Sequence, residues 1–530
     1  MTELLPTSAS FAEGSAVTIE VRGSHAPGPV VVRYLGDVVA TQHYDGSGHI
    51  DLGALPLGCY GVELDDSRTA VEVSSDPSQR LRYGFVVDYS PQRDLAGVSD
   101  TVRRLHLTGV QFYDWAYRHA DLHGGGEDYL DALDQPISLE SVRALIGAVQ
   151  AAGARALGYA AVYAVGPNEW DEWKHRALLA ASGEPYGLGD FLFILDPAAP
   201  DWLEHFGTEL QTAVASLGFD GFHLDQYGYP KRAVRADGVV VDVAESFVSM
   251  IAAVRAALPT STLVFNNVND FPTWATASTD QDAVYIEPWD PQLTLDSLVR
   301  VVTRARSVAQ GKPIAIAAYQ HVYDSAPAAA ADLATSFTMA ALFSHGATQL
   351  LAGEADRILV DPYYVRNHVV ESSTSALLTR WYDFLVEHDE LLLDPAIVDV
   401  TGSVVGEYNA DLDVTFTDAV VTETASAGTV WRRVTESRGR SIVHLINLVG
   451  QVDAEWDSAR ATPGDPGTAT LRVRRIGQAV PRVQVADPDG AGHLVDVEVT
   501  TDGDYAVAVL PPLAVWQLVL IDPITTEDEK

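Results

Sequence analysis

Between residues 81 and 395 the sequence alternates short apolar runs with segments of helical periodicity, and this alternation most restricts the possible fold. Eight apolar runs of strand length recur in this segment. Strands that alternate with helices are typical of a parallel sheet built from βαβ units. Eight such strands over roughly 310 residues predict a (β/α)8 TIM barrel with insertions. An open, doubly wound sheet is the alternative that the same pattern allows.

Polar residues end nearly every predicted strand, which favours one shared active face and therefore the barrel. These residues are Asp88, Asp114, Asp225, Asn266, Glu287 and Glu354. The strands are predicted over residues 83–89, 109–115, 156–163, a run within 217–228, 262–268, 282–289, 313–319 and 348–354.

Capping signals bound two of the helices between these strands. One helix is predicted to begin after Ser138 and to stop at Gly153, and another to begin after Thr294 and to stop at Gly311. Ser and Thr are favoured N-cap residues, and Gly adopts the left-handed conformation that ends many helices. A last helix is predicted over about residues 375–392.

Both ends of the chain are predicted to be β-sandwiches. Residues 1–80 contain short apolar runs separated by Gly, Pro and Asp turns about every ten residues, which is typical of an immunoglobulin-like β-sandwich. After Pro395 the helical patterns stop, and alternating segments such as 441–447 and 506–510 predict a C-terminal β-sandwich over residues 396–530. The predicted protein is therefore multidomain, with a catalytic barrel over residues 81–395 between the two sandwiches.

The composition limits the possible partners. The 530 residues include 73 Asp and Glu against 34 Lys and Arg, a net charge of −39. A surface this negative repels phosphate backbones, so no nucleic acid partner is expected. A neutral polysaccharide is not disfavoured by this charge. The sequence does not indicate an oligomeric state.

The cellular location is inferred from two features. The stretch Met1–Pro6 lacks the basic and apolar regions of a signal peptide, so the chain is expected to be cytoplasmic, or secreted if an N-terminal segment has been lost. No apolar run is long enough to predict a membrane span. Cys59 is the only cysteine, so no intrachain disulfide is possible.

Several motifs that would indicate other chemistry are absent from the sequence. There is no HExxH motif, no cysteine pair and no calcium-loop pattern, so no metal is predicted. No GxGxxG or GxxxxGK[ST] motif is present, so no nucleotide cofactor is predicted. A GxSxG motif is also absent, which weighs against an esterase.

Two acids at different strand ends are the candidate catalytic residues. Asp225 and Glu287 each end an apolar run and are each followed two positions later by an aromatic residue. Sugar hydrolysis needs one carboxylic acid to protonate the leaving oxygen and a second carboxylate near the anomeric carbon. A buried Glu beside Pro288 is costly unless it is used. The structural alternative for Asp225 is capping of the following loop.

Further residues are predicted to bind substrate. They are Asp88, Tyr113, Asp114, Trp115, Tyr163, His223, Asn266, Trp289, Tyr319 and Glu354, with Glu354 as a second candidate acid. By the two-residue alternation of a strand, His223 lies on the same side as Asp225. Trp170 and Trp173 are additional candidates for stacking on sugar rings. For each aromatic residue the alternative is packing in the core, and for His223 it is a hydrogen-bonded core histidine.

Three motifs together resemble glycoside hydrolase family 66. They are Tyr113-Asp114-Trp115 followed by Tyr117-Arg118-His119, the stretch 218–225, and the stretch 285–289. The family contains endo-dextranases and cycloisomaltooligosaccharide glucanotransferases. The resemblance implies a retaining reaction on α-1,6-linked glucosyl units, with Asp225 as nucleophile and Glu287 as acid/base. Such a pair requires carboxyl groups about 5–5.5 Å apart and a raised pKa on the acid.

The resemblance leaves the substrate and the outcome open. Dextran and isomaltooligosaccharides, linear or cyclic, are the expected substrates, and a cytoplasmic enzyme would act on imported oligosaccharides. Cyclising members carry a carbohydrate-binding module inserted in the barrel, and the lack of an insertion of that size favours hydrolysis here. The alternatives are a transglycosylase, a barrel glycosidase that acts on another α-linkage, and a non-catalytic glucan-binding protein.

Overall fold

The computed structural model describes residues 3–189, 191–404, 410–475 and 479–522. In this part of the chain, parallel strands form one sheet that curls round on itself. The first seven strands are Tyr83–Val86, Gly109–Phe112, Arg155–Ala161, Gly221–Asp225, Thr262–Val268, Ala283–Glu287 and Ile314–Ile316. The eighth consists of two short pieces, Thr348–Gln349 and Ala352–Gly353, where the sequence predicts one continuous strand.

Each strand pairs in parallel with the next strand along the chain. The two pieces of the eighth strand pair differently. Thr348–Gln349 pairs with the seventh strand, and Ala352–Gly353 pairs with the first. The sheet therefore returns to its own first strand, which is compatible with the predicted barrel.

Helices of two turns or more occupy the connections between most of these strands. They are Leu95–Arg104, Leu139–Ala151, Pro200–Leu217, Val243–Ala257, Leu295–Val308, Ala328–Ser344 and Ser372–Glu387. Single helical turns are Pro77–Gln79, Trp170–Trp173, Lys174–Arg176, Thr273–Thr276, Val322–Ser325, Tyr364–Arg366, Asp389–Leu392 and Thr401–Val404. Within the described ranges, no helix is both long and apolar enough to cross a membrane.

The predicted helix ends agree with the structure except in two details. Thr294 caps its helix by accepting a hydrogen bond from the Ser297 amide at 3.1 Å. Ser138 occupies the N-cap position but makes no capping hydrogen bond with its side chain. The predicted last helix is interrupted after Glu387 and resumes for one turn.

Short strands also form small sheets in the connections. They are Asp128–Leu130 with Pro136–Ser138, the set Ala164–Val165, Gly187–Leu188 and Leu192–Ile194, the set Leu178–Leu179, Arg232–Arg235 and Val240–Asp242, and the pair Arg357–Ile358 and His368–Val369 that extends the curled sheet. Most of these strands belong to the long connections that follow the second, third, fourth and eighth sheet strands.

Two sheets form the N-terminal region. The strands are Glu3–Pro6, Phe11–Ala12, Ala16–Arg22, Gly28–Tyr34, Asp37–Tyr44, His49–Ala54, Gly58–Leu64 and Ser67–Ser74, arranged as a three-stranded and a five-stranded sheet. Buried side chains from both sheets share one hydrophobic cluster. This is the packing expected of a β-sandwich.

The C-terminal region also contains two facing sheets. Its strands are Val398–Asp399, Leu412–Phe416, Val421–Thr422, Val430–Ser437, Arg440–Asn447, Ala469–Arg474, Arg482–Ala486, Val495–Val497, Val499–Asp502, Tyr505–Val509 and Trp516–Asp522. A second hydrophobic cluster joins these two sheets. The largest cluster fills the curled sheet and its helices, extends to residues of the C-terminal sheets such as Trp431 and Trp516, and positions the strand ends described next.

Candidate active site

Asp225 and Glu287 lie at the ends of two strands that flank a common neighbour. Asp225 is the last residue of the fourth sheet strand and Glu287 is the last residue of the sixth. The fifth strand pairs with both, and its Asn266 lies opposite Tyr285 in the register with the sixth. Because the carboxyl ends of parallel strands meet at one edge of the sheet, both acids and Asn266 face the same space.

Two glycines allow the fourth strand to take this position. Gly218 ends the preceding helix with a φ of +89°, a left-handed conformation that glycine adopts without steric cost. At Gly221 a Cβ atom would lie 1.9 Å from the carbonyl oxygen of Thr262 on the fifth strand. Only glycine therefore permits this close approach of the fourth and fifth strands, and with it the placement of Asp225 beside Asn266.

One amide nitrogen connects the two acids. Nδ2 of Asn266 donates hydrogen bonds to Oδ1 of Asp225 at 2.7 Å and to Oε2 of Glu287 at 3.1 Å. The two acceptor oxygens are therefore no further apart than 2.7 Å plus 3.1 Å. This limit accommodates the separation of about 5–5.5 Å between the carboxyl groups of a retaining glycosidase.

Each acid also has a tyrosine partner of its own. The Tyr159 hydroxyl donates to Oδ2 of Asp225 at 2.7 Å, and the Tyr319 hydroxyl donates to Oε1 of Glu287 at 2.8 Å. Both oxygens of each carboxyl group are thus oriented by a donor. Such fixed orientation reduces the reorganisation needed when a substrate reacts.

Burial raises the pKa of both acids, and the pKa of Glu287 is the higher of the two. Glu287 is 8% exposed, and burial together with the negative charge of Asp225 raises its pKa to about 7. Burial raises the pKa of Asp225 to about 6, against the opposing effect of the hydrogen bonds from Asn266 and Tyr159. Between these values Asp225 is ionised while Glu287 keeps its proton. That is the division of roles that a nucleophile and a general acid require.

We expect kcat/KM for a glucan substrate to follow a bell-shaped pH profile. Its maximum should lie between the pKa of Asp225, about 6, and the pKa of Glu287, about 7. Below the lower value Asp225 gains a proton and loses its nucleophilicity. Above the higher value Glu287 has no proton to donate. A profile that stays flat from pH 5 to pH 9 would contradict this assignment.

The two tyrosine partners predict separate changes in that profile. Tyr159→Phe removes a hydrogen bond that lowers the pKa of Asp225, so the acidic limb moves upward by roughly one pH unit. Tyr319→Phe removes a bond that lowers the pKa of Glu287, so the alkaline limb moves upward instead. Each variant serves as the control for the other. Movement of the same limb in both variants would show that the acids are wrongly assigned.

A cavity of about 280 Å³ opens over the two acids. Its lining residues are Gln111, Tyr113, Tyr159, Leu188, His223, Asp225, Gln226, Tyr227, Tyr229, Asn266, Val268, Tyr285, Glu287, Trp289, Tyr319, Pro362, Tyr363 and Tyr364. Tyrosines dominate this wall, and the rings of Tyr113 and Tyr364 stack with their centroids 4.1 Å apart. Among the described lining residues there is no Lys or Arg, so the cavity is suited to a neutral, hydroxyl-rich ligand.

Five of the ten residues predicted to bind substrate line this cavity: Tyr113, His223, Asn266, Trp289 and Tyr319. His223 lies on the same side of its strand as Asp225, as the alternation predicts. Burial lowers the pKa of His223 to about 3, so its ring is neutral. Its Nδ1 lies 3.2 Å from the Tyr83 hydroxyl, and its ring stacks on that of Tyr159. His223 thus packs beneath the tyrosine that orients Asp225.

Two other predicted contacts, Trp115 and Tyr163, lie in the core behind the cavity wall. Both side chains are fully buried. Trp115 donates from Nε1 to the carbonyl oxygen of Tyr159 at 3.1 Å. The Tyr163 hydroxyl donates to the carbonyl oxygen of Tyr229 at 2.7 Å and accepts from the Tyr227 amide at 3.0 Å. Each therefore supports residues of the wall and is not among the residues that line it.

Predicted contacts at the ends of the first and eighth strands form a separate group. Glu354 is buried, pairs with Arg93 and accepts a hydrogen bond from the Asp88 amide at 2.9 Å. Asp88 also pairs with Arg93, at 3.2 Å, and half of its side chain is exposed. Glu354 is thus committed to an ion pair outside the cavity of Asp225 and Glu287.

Asp114 and the two loop tryptophans also lie outside the cavity lining. Burial, followed by the charges of Asp131 and Asp225, raises the pKa of Asp114 well above its usual range. Trp170 packs on Phe193 with ring centroids 4.2 Å apart. Trp173 meets Trp202 edge to face at 5.0 Å.

Sequence reasoning missed several residues of the cavity wall, above all Tyr159. In the register of the third and fourth strands Tyr159 lies opposite His223, so inward alternation from His223 would have found it. Tyr364 and Tyr363 come from the loop after the eighth strand, and no local pattern assigns that loop to the cavity. Their position depends on how the chain returns from Arg357–Ile358 to His368–Val369.

Comparison with known proteins decides the family. The sequence model of glycosyl hydrolase family 66 matches residues 59–520. The chain belongs to glycosyl hydrolase family 66. The family resemblance that the three motifs indicated is thereby confirmed.

Relatives within family 66 are distant in sequence. A cycloisomaltooligosaccharide glucanotransferase from Niallia circulans is 26% identical over 291 residues, which cover 50% of this chain and 30% of that protein. A dextranase from Streptococcus salivarius is 22% identical over 553 residues, covering 88% of this chain and 66% of that protein. The chain thus spans about a third to two thirds of the length of these relatives.

The solved structures show the fold. A cycloisomaltooligosaccharide glucanotransferase from Paenibacillus sp., complexed with cycloisomaltoheptaose, has a TM-score of 0.87 at 18% identity, covering 98% of this chain and 100% of that one. A maltogenic alpha-amylase from Thermotoga neapolitana has a TM-score of 0.53 at 10% identity, covering 83% of this chain and 99% of that one. This family 66 chain therefore shares its fold with these two enzymes.

Proposed function

We propose that this protein is a retaining glycoside hydrolase that cleaves α-1,6-glucosidic linkages in dextran or isomaltooligosaccharides. The observation that carries the proposal is the amide of Asn266, which donates to both carboxyl groups and so limits their separation. The two oxygens that accept from Asn266 are closer together than the carboxyl groups of an inverting pair, which lie about 6.5–9.5 Å apart, and this supports a retaining pair.

In the first step the Asp225 carboxylate attacks the anomeric carbon of the α-linked glucosyl unit. The bond from this carbon to O6 of the next unit breaks, and Glu287 transfers its proton to the departing O6. A β-glucosyl ester of Asp225 remains. Because its pKa is raised to about 7, the Glu287 carboxyl group still carries a proton to donate near neutral pH. Asn266 and Tyr159 hold the attacking carboxylate in place.

In the second step Glu287, now ionised, removes a proton from water. The water oxygen bonds to the anomeric carbon from the α face, and the ester bond to Asp225 breaks. The product is released as the α anomer, Glu287 is protonated again, and Asp225 is again a carboxylate. Two inversions at the same carbon thus give net retention.

The α-1,6 linkage, and the choice between hydrolysis and transglycosylation, are inferred from the relatives. The dextranase match extends over 88% of this chain, whereas the glucanotransferase match covers 50%. This difference in coverage favours hydrolysis. The second candidate is a transglycosylase, because a sugar hydroxyl in place of water completes the same second step. The 26% identity to the Niallia circulans glucanotransferase supports this candidate.

A product profile tests the proposed function. The protein is incubated with dextran, linear isomaltooligosaccharides, cyclic isomaltooligosaccharides and an α-1,4-glucan, and the products are separated over time. We expect short linear isomaltooligosaccharides from the α-1,6 substrates and no products from the α-1,4-glucan. Rings or elongated oligomers would establish the transglycosylase. If the α-1,6 substrates stay unchanged, the proposed linkage is wrong.

A further inference from the structure

A second cavity, of about 350 Å³, lies at the opposite end of the curled sheet from the two acids. Its wall contains Leu81, Ile314 and Thr348, which precede or begin the first, seventh and eighth sheet strands. The segment from Leu393 to Asp399 closes one side. The cavity therefore lies where the curled sheet meets the start of the C-terminal sheets.

Basic side chains converge on this cavity. Arg80, Arg306, Lys312 and Arg433 line it, together with the single acid Asp399. Such a cluster is notable in a chain with 34 basic and 73 acidic residues. The four cations come from three segments of the sequence, because Arg306 and Lys312 are only six residues apart, so the fold brings the three segments together.

Two of these cations are neutralised by carboxylates. Arg80 pairs with Asp389 at 2.6 Å, and Arg433 pairs with Asp399 at 2.9 Å. Arg306 and Lys312 instead donate to backbone carbonyl oxygens, Arg306 to that of Gly346 at 3.1 Å and Lys312 to that of Ala277 at 3.1 Å.

The cavity therefore has an excess of positive charge. In the described part of the chain, no carboxylate lies within ion-pair distance of Arg306 or Lys312. Asp280 and Asp282 act on Lys312 only from a longer distance, and Asp394, which acts on Arg306 in the same way, pairs with Arg438. Burial, followed by the charges of Arg433 and Arg80, lowers the pKa of Arg306. Cations held this close together repel one another unless an anion lies between them, and two unneutralised cations match a dianion.

We propose that this cavity binds a small phosphate dianion, either inorganic phosphate or the phosphate group of a sugar phosphate. Arginine guanidinium groups offer the forked donors that phosphate oxygens accept, and Lys312 adds a point charge. The volume is that of a small-molecule site and leaves room beside a phosphate group for a sugar ring. The site is separate from the tyrosine-lined cavity, whose described wall has no Lys or Arg.

Binding is measured on the full chain in a phosphate-free and sulfate-free buffer at constant ionic strength. Inorganic phosphate, glucose 6-phosphate and glucose are titrated separately by isothermal calorimetry, and the melting temperature is followed in parallel. We expect saturable binding and a higher melting temperature with the first two ligands, and neither effect with glucose. Whichever of the two has the lower Kd shows whether the site takes inorganic phosphate or a sugar phosphate.

Three variants and a control test the assigned residues. Arg306→Met and Lys312→Met each remove an unneutralised cation and are expected to weaken phosphate binding at least about tenfold. Asp399→Asn removes the acid from the wall and is expected to tighten it. Arg300→Met is the matched control, because Arg300 lies on the same helix, pairs with Asp296 and is largely exposed.

A purely structural role of these cations gives different results. In that case Arg306→Met lowers the melting temperature because the hydrogen bonds from Arg306 to carbonyl groups are lost. Phosphate then binds to none of the proteins and raises the melting temperature of none of them. Absence of saturable phosphate binding by the unaltered chain would overturn the proposal. Equal weakening in Arg300→Met and Arg306→Met, or weaker binding in Asp399→Asn, would also overturn it. If Arg306→Met does not fold, Lys312→Met and Asp399→Asn still decide the outcome.

Discussion

Replacing Asp225 with asparagine is expected to lower kcat on an α-1,6-glucan at least about 10⁴-fold while substrate still binds. The amide of the variant has no charge with which to attack the anomeric carbon, yet it has nearly the shape of the carboxylate. It also keeps an oxygen that accepts from Tyr159 or Asn266. Turnover is measured as reducing ends released from dextran, and binding as a Kd for isomaltooligosaccharide.

Asp280→Asn provides the matched control for that variant, because the Asp280 side chain is 81% exposed and is not among the residues that line the cavity. It makes the same change of charge and shape and should keep full activity. A further variant, Asp225→Gly, leaves space for azide. Azide should restore turnover and give the β-glucosyl azide, since it attacks from the face that Asp225 occupied. Normal turnover by Asp225→Asn would remove Asp225 from the mechanism.

The second large effect is expected for Glu287→Gln. On a glucan, whose leaving group is a poorly acidic alcohol, we expect a loss of about 10²–10⁴-fold because no proton is supplied to O6. With a nitrophenyl α-isomaltooligosaccharide the first step should be much less affected, since nitrophenolate leaves without a proton. The alkaline limb of the pH profile should disappear, because that limb reports the proton of Glu287.

Glu390→Gln is the control for Glu287→Gln. Glu390 is a partly buried carboxyl group whose pKa burial raises to about 8, but it accepts from the Cys59 amide and is not among the residues that line the cavity. Azide should accelerate Glu287→Gln and yield the α-glucosyl azide, because this nucleophile needs no general base. Equal losses on both substrates, with the alkaline limb intact, would show that Glu287 is not the acid.

The elements that could be predicted from the sequence are those with local signals. Apolar runs, helix caps and stop glycines predict the parallel strands and the helices between them, and the polar strand ends predict the face on which Asp225 and Glu287 meet. The same pattern predicts that Asn266 lies on this face. Its bridging of the two acids follows from the strand order, which the sequence pattern alone does not give.

What the sequence did not reveal depends on non-local packing. Tyr364 reaches the cavity from a loop whose path is set by the strands around it. Trp115 lies beyond the end of its strand at Phe112, so strand alternation does not say which way its ring points, and it packs in the core. Glu354 shows the same limit, because its partner Arg93 is brought to it only by the closing of the sheet.

The most direct test of the central claim is the anomeric configuration of the first product. An isomaltooligosaccharide is mixed with the protein in deuterated buffer, and proton NMR spectra follow the anomeric signals before mutarotation equilibrates them. We expect the α-1,6 signal to fall while the α anomer of the new reducing end appears first, with the β anomer following slowly. Appearance of the β anomer first would show an inverting reaction and contradict the assignment of Asp225 as a nucleophile and Glu287 as its acid/base.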